Sequence, residues 1–168
     1  MIERIGEPLH TFKMATGAYQ ITNQGNRIYT VAQGKPCVFY VIDADNAIEI
    51  NNFVLEGSNH SWGMCVTPDG SVYMGGDGYL YHYNPLTDSL RNCGIAIVGE
   101  TYFWRLAADS EGNVYGGTYP GGKVFQYNPQ QDTFRDYGNL MEEQYYARCM
   151  DMGPVSYTHL TLPTITAV

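Results

Sequence analysis

Two stretches of the chain are written to one template. Ser71-Val72-Tyr73-Met74-Gly75-Gly76, followed by Gly78-Tyr79-Leu80-Tyr81-His82-Tyr83-Asn84-Pro85, recurs as Asn113-Val114-Tyr115-Gly116-Gly117, followed by Gly122-Lys123-Val124-Phe125-Gln126-Tyr127-Asn128-Pro129. The offset is 42 residues at Val72/Val114 and 44 at Tyr83/Tyr127, with two extra residues in the turn that holds Tyr119-Pro120. A unit of that length, made of short alternating segments punctuated by Gly, Asn and Pro, predicts four strands per repeat.

The second unit begins with Ser61-Trp62-Gly63-Met64-Cys65-Val66 as an inner strand, turns at Thr67-Pro68-Asp69-Gly70, and continues through Val72 to Gly75 and Tyr79 to Tyr83 to an outer strand near Ser89 to Cys93. The third runs from Phe103-Trp104-Arg105-Leu106 through the turn Asp109-Ser110-Glu111-Gly112 to Thr133 to Tyr137. A more divergent first unit lies upstream, where Asn26 to Val31 match Gly70 to Gly75. Tyr145 to Met150 open a fourth. The expected fold is therefore all-β, a partial β-propeller of four-stranded antiparallel blades at about 15–58, 59–99 and 100–143, with the start of another at 144–153. Propellers close with about four to eight blades, so the missing blades of the same chain are an expected partner.

Residues 155–168 break the template. Val155-Ser156-Tyr157-Thr158-His159-Leu160-Thr161-Leu162-Pro163-Thr164 is what a transposase-type sequencing adapter encodes in one frame, so the incomplete propeller is assigned to 1–154 and 155–168 to a non-native tail. His159 then carries no functional weight.

The Gly-Gly doublet followed by Tyr-Asn-Pro and a Thr/Asp turn resembles the kelch repeat. Asp-Gly-Ser-Val-Tyr and Glu-Gly-Asn-Val-Tyr also resemble strand entries of NHL-type and quinoprotein-like propellers. The likeness covers about 15–152 and departs from kelch at Leu90 and Phe134, where that repeat places a closing tryptophan. It implies a rim around a channel, formed by the loops entering each inner strand and those joining the second and third strands. On that rim fall Ser58-Asn59-His60, Glu100-Thr101-Tyr102, Gln144-Tyr145-Tyr146, Gln33-Gly34-Lys35, Asp77 and Thr118-Tyr119-Pro120.

Trp62 and Trp104 stand at equivalent positions. They form either an aromatic platform for a ring ligand, joined by Tyr119, Lys35 and Asp77, or a packing contact that every blade repeats. Arg105 and Arg148 match in register. Each needs a paired acid or an open channel, because burying a lone guanidinium is costly, and together they could grip a carboxylate. His60 is the candidate for proton transfer, against the alternative of a solvated loop histidine. Some propeller polysaccharide lyases use His or Tyr with Arg, and that resemblance implies a catalytic set of His60, Tyr102, Arg105, Tyr145 and Arg148. Asp69, Asp109 and Glu111 belong to turns on the opposite face.

The leading reading is a ligand-binding or protein-interaction propeller using its channel rim, with a small-molecule, glycan or protein partner. The alternative is a lyase acting on uronic-acid-containing glycans. A net charge of -8 with only nine Lys and Arg argues against a nucleic-acid partner. Neither a membrane span nor a signal-peptide core is visible, which points to a cytoplasmic protein if Met1 is the true start. Cys37, Cys65, Cys93 and Cys149 show no metal-ligand spacing and read as buried thiols. No phosphate loop, dinucleotide fingerprint or hydrolase triad is present, so neither cofactor nor metal is expected.

Overall fold

A computed structural model of the chain describes residues 13–153, and these are all-β: twelve strands make three four-stranded antiparallel sheets in which spatial order follows chain order. The first sheet holds β1 (Met14–Thr22), β2 (Gly25–Ala32), β3 (Cys37–Asp43) and β4 (Ile48–Leu55). The second holds β5 (Met64–Val66), β6 (Val72–Gly76), β7 (Tyr79–Asn84) and β8 (Ser89–Ile95). The third holds β9 (Tyr102–Ala108), β10 (Val114–Tyr119), β11 (Lys123–Asn128) and β12 (Thr133–Asn139). This is a partial propeller-like β fold, each sheet a four-stranded antiparallel meander.

The turns form for local reasons. Asp69 Oδ1 accepts the Ser71 amide (3.0 Å) and the Thr67 hydroxyl (2.5 Å), closing the β5–β6 turn. Asp109 Oδ1 accepts the amides of Glu111 (3.0 Å) and Asn113 (2.8 Å) at the same place in the third sheet. After β7 and β11, Asn84 Oδ1 accepts the Leu86 amide and Asn128 Oδ1 that of Gln130, both at 2.9 Å, so the Asn-Pro pair is a side-chain-capped turn.

Successive sheets pack face to face. Tyr29, Val31 and Phe39 of the first sheet meet Val72, Met74, Tyr81 and Tyr83 of the second. Tyr73 and Leu80, on the other side of the second sheet, meet Phe103, Leu106, Phe125 and Tyr127 of the third. Because side chains alternate across a strand, β6 is covered on both faces and buried along its whole length, whereas the outer strands β4, β8 and β12 are largely exposed.

The Gly-Gly doublet is a packing requirement. A Cβ on Gly75 would come within 2.6 Å of Phe103 Cδ2, so only glycine lets the next inner strand lie against β6. Gly117 stands in the same relation to Ala147, whose amide donates to the Thr118 carbonyl at 3.1 Å. Residues 144–153 thus begin a fourth unit against the third sheet, but they form no strand, since no partner strand lies beside them among the described residues. The adapter-like segment 155–168 lies outside the described residues.

The thiols need one correction. All four cysteines are free, yet only Cys37 is fully buried and Cys149 is exposed, because no sheet covers 144–153 on its outer side among the described residues. Burial pushes the Cys65 thiol up to about 12.

Candidate functional site

The loops entering the inner strands and those joining second to third strands meet on one rim. One backbone and one side-chain hydrogen bond hold them there: the Thr101 amide donates to the Tyr119 carbonyl at 2.8 Å, and the Gln33 side-chain Nε2 donates to the Ser61 carbonyl at 2.8 Å. Trp104 reaches the rim through a bulge. Arg105 pairs with Gly117 and Phe103 with Thr118, leaving Trp104 without a partner in the ladder, the kind of irregularity that re-aims a side chain.

A continuous aromatic layer results. Trp62 and Trp104 lie 5.5 Å apart between ring centroids, and Trp104 is 5.9 Å from Tyr102 and 6.0 Å from Tyr146. Tyr119 stacks on Tyr146 at 4.6 Å and lies 5.9 Å from Tyr102. The close Tyr146 phenol pushes the Tyr119 phenol above its ordinary value. His60 meets the edge of Tyr102 at 5.9 Å, and its Nδ1 lies 3.1 Å from Asp77 Oδ1. Asp77 also accepts the Asn59 amide at 2.6 Å, so one carboxylate sets both the loop and the imidazole.

Two cations sit on the layer. Lys13 Nζ is 5.0 Å from the Trp62 ring centre, and the Arg148 guanidinium carbon lies 4.9 Å over Trp104 and 4.8 Å over Tyr146. Attraction between cation and ring quadrupole holds such pairs, and Arg148 is exposed, so its N–H edge stays open to a ligand. Both indole N–H groups are buried without a hydrogen-bond partner among the described residues.

Beneath the layer, buried Glu100 anchors the turn that carries Tyr119. Its Oε2 accepts the Thr118 hydroxyl at 2.6 Å and the Gly121 amide at 2.8 Å. Glu100 acts on the layer only through that turn.

Of the candidates read from sequence, His60, Asp77, Trp62, Trp104, Tyr102, Tyr119 and Arg148 fall in this one layer. Arg105 is exposed on β9, Lys35 is exposed in the β2–β3 turn, and Tyr145 is 64 % exposed outside the ring contacts described above. Tyr146 takes the place in the layer. Since Ala147 seats on Gly117 as Phe103 seats on Gly75, the inner strands of the third and fourth units are offset by 44, not 43, and Tyr146 matches Tyr102. The 44-residue spacing of Tyr83 and Tyr127 already carried that signal. Lys13 lies ahead of the recognisable repeat, and only its contact with Trp62 reveals it.

Two open grooves, of about 340 and about 530 Å³, lie at the opposite turns between adjacent blades; Asp69 lines both, with Glu111 in the smaller and Arg27 in the larger. Their size is not matched by available chemistry, because Asp69 already accepts three hydrogen bonds within its own turn, from the Thr67 hydroxyl and from the amide and hydroxyl of Ser71.

No protein-family model matches this sequence, and no curated protein matches it. Solved structures do share its fold. An auxiliary nutrient binding protein from Bacteroides thetaiotaomicron aligns with a TM-score of 0.55 and 13 % identity over 76 % of this chain and 31 % of its own. The extracellular domain of a hybrid two component system from the same organism aligns with a TM-score of 0.53 and 18 % identity over 75 % of this chain and 16 % of that one. The extracellular domain of a one component system aligns at 0.51 and 19 %, over 73 % and 16 %. The chain therefore spans a third or less of the length of these structures. The cytoplasmic expectation is corrected by this comparison, since two of the three likenesses are described as extracellular domains and the third as a nutrient-binding protein.

Proposed function

We propose that this chain contributes the ligand-binding rim of a larger β-propeller that works outside the cytoplasm, and that the rim stacks a small ring-bearing ligand, a saccharide being the best fit. The observation that carries this reading is the aromatic layer itself. Five rings, from Trp62 through Trp104, Tyr102, Tyr119 and Tyr146, are joined by tilted and stacked contacts across three blades, with Lys13 and Arg148 laid on the indoles. Flat apolar faces beside fixed polar groups suit a pyranose ring, whose C–H face stacks while its oxygens take hydrogen bonds. Neighbours described as a nutrient binding protein and as the extracellular domain of a one component system are compatible with it.

Titration of the full chain with neutral and uronic-acid oligosaccharides, followed by tryptophan fluorescence and calorimetry, tests the proposal. Trp104→Ala is expected to weaken binding at least about tenfold, equivalent to about 1.4 kcal/mol. Unchanged affinity in Trp104→Ala and Trp62→Ala would defeat it.

A second reading, uronate lyase chemistry, draws on the Asp77-oriented His60 beside Tyr102, an arrangement that can hold an imidazole ready to take a proton. Its signature is unsaturated product absorbance that disappears in His60→Ala. Binding of uronate oligomers without such absorbance leaves the binding reading alone.

A further inference from the structure

The three blades share one turn, but only two of them carry the same pair of side chains on it. Asp43, Asn84 and Asn128 each end a third strand and cap the residues that follow. Each turn then passes through a non-glycine residue of positive φ: Ala47 at 55°, Asp88 at 48° and Asp132 at 54°. The residue before the cap is Ile42, Tyr83 or Tyr127.

Where Tyr and Asp are both present, they form the receiving half of a clasp. Tyr83 OH donates to Asp88 Oδ1 at 2.9 Å, and Tyr127 OH donates to Asp132 Oδ1 at 2.6 Å. The donating half comes from the outer strand of the preceding blade. Asn51 on β4 donates to Asp88 Oδ2 at 2.8 Å, while Arg91 on β8 reaches both Asp132 Oδ1 at 2.8 Å and Tyr127 OH at 2.6 Å. Asn51, Arg91 and Arg135 hold one register position, opposite Val41, His82 and Gln126.

The clasp therefore has a direction. The first blade cannot receive, since Ile42 and Ala47 supply neither phenol nor carboxylate. The third blade presents a donor, Arg135, exposed and lying 4.6 Å over the Tyr137 ring, with no carboxylate in ion-pair reach among the described residues. The face around it is prepared in the same way. Tyr73 is 2 % exposed beneath the third blade, whereas its counterpart Tyr115 is half-buried, and Tyr137, in the place of Cys93, is 46 % exposed.

We propose that this face of the third blade is an interaction surface for a β-blade that presents a phenol and a carboxylate five residues apart, and that Arg135 is the donor that selects it. The planar guanidinium suits this role because its fork can meet a carboxylate and a phenolic oxygen at once, as Arg91 does. A second copy of the chain does not fit through its first blade, where the acceptor pair is absent.

The selection is tested by installing that pair. In the full 168-residue chain, Ile42→Tyr with Ala47→Asp gives the first blade the acceptor that Arg135 requires, and aspartate already occupies this positive-φ position twice. Sedimentation equilibrium is expected to show head-to-tail self-association at least about tenfold tighter than wild type, reversed by adding Arg135→Met. If Ile42→Tyr disturbs the core, Ala47→Asp alone, which adds the carboxylate without enlarging a buried residue, is expected to show the same dependence on Arg135 in weaker form. Association of the folded variants no tighter than wild type, or insensitive to Arg135→Met, overturns the proposal. So does wild-type self-association that Arg135→Met abolishes, because a second copy would then occupy the face without the acceptor pair.

Discussion

The two rims of the blades use polar residues in opposite ways. At the lower turns, Asp69 and Asp109 spend their oxygens on their own loops: Asp109 alone accepts from the Glu111 and Asn113 amides, the Asn113 side chain at 2.9 Å and the Tyr115 hydroxyl at 3.1 Å. At the upper rim, the exposed Arg148 lies against rings with its N–H edge open. A saturated carboxylate holds a turn and has little left for a ligand. Groups with unspent hydrogen-bonding capacity are where a ligand adds something the protein does not already have.

This contrast breaks if the lower turns prove dispensable. Asp109→Ala strands two amides, the buried Asn113 side chain and the Tyr115 hydroxyl, so a loss of about 2–3 kcal/mol is expected in urea unfolding, with oligosaccharide affinity of the folded protein unchanged. A loss confined to binding would reverse the assignment of the two rims.

Acid sharpens the same comparison. Burial holds the His82 imidazole below its ordinary value of 6.5, its ring stacked at 4.6 Å on Tyr73 with Asp69 and Arg91 the nearby charges. The unfolded chain binds that proton more readily, so the stability His82 contributes is present above pH 6.5 and is lost as pH falls through its lower folded value. For Asp69 and Asp109, burial alone raises the pKa, but the hydrogen bonds that close their turns outweigh it and hold both below 3.8. Their contribution is therefore lost only in stronger acid. A melting temperature that declines in two stages, the second reduced by Asp109→Ala together with Asp69→Ala, is the expected profile; hydrogen bonds hold Asp43, Asp45 and Asp132 low as well, and they carry the remainder.

Smaller effects separate exposed from buried positions. His60→Ala removes a side chain that is 46 % exposed and is expected to change stability by no more than about 0.5 kcal/mol. At neutral pH a maleimide is expected to label Cys149 quickly and Cys65 only on unfolding, since the thiolate is the reactive form and burial keeps the Cys65 thiol protonated. Equal labelling of both in the native protein would show that the second sheet opens readily.

Most of the fold was legible because its signals are local and repeated. The repeated run Val72-Tyr73-Met74 reads as a strand, and Asn84-Pro85 with Asn128-Pro129 marks matching turns. The site was legible only in part. His60, Tyr102 and Trp104 follow from their place at strand entries, but choosing Tyr146 over Tyr145 depends on which residue seats against Gly117, and Lys13 enters only because β1 packs beside β5. The bulge at Trp104 likewise arises in the pairing of two strands and has no signature in one of them.

By itself, the sequence determined the blade: a hydrophobic alternation of period two, glycines where a neighbour approaches closely, and Asx-capped turns are set by residues within about 45 positions of each other. Only the tertiary structure decided which of the rim residues share one layer and which carboxylates are already spent. Those properties belong to contacts between blades, such as Arg148 over Trp104 or Arg91 on Asp132, whose partners lie some 40 residues apart in the chain and meet only when one sheet packs on the next.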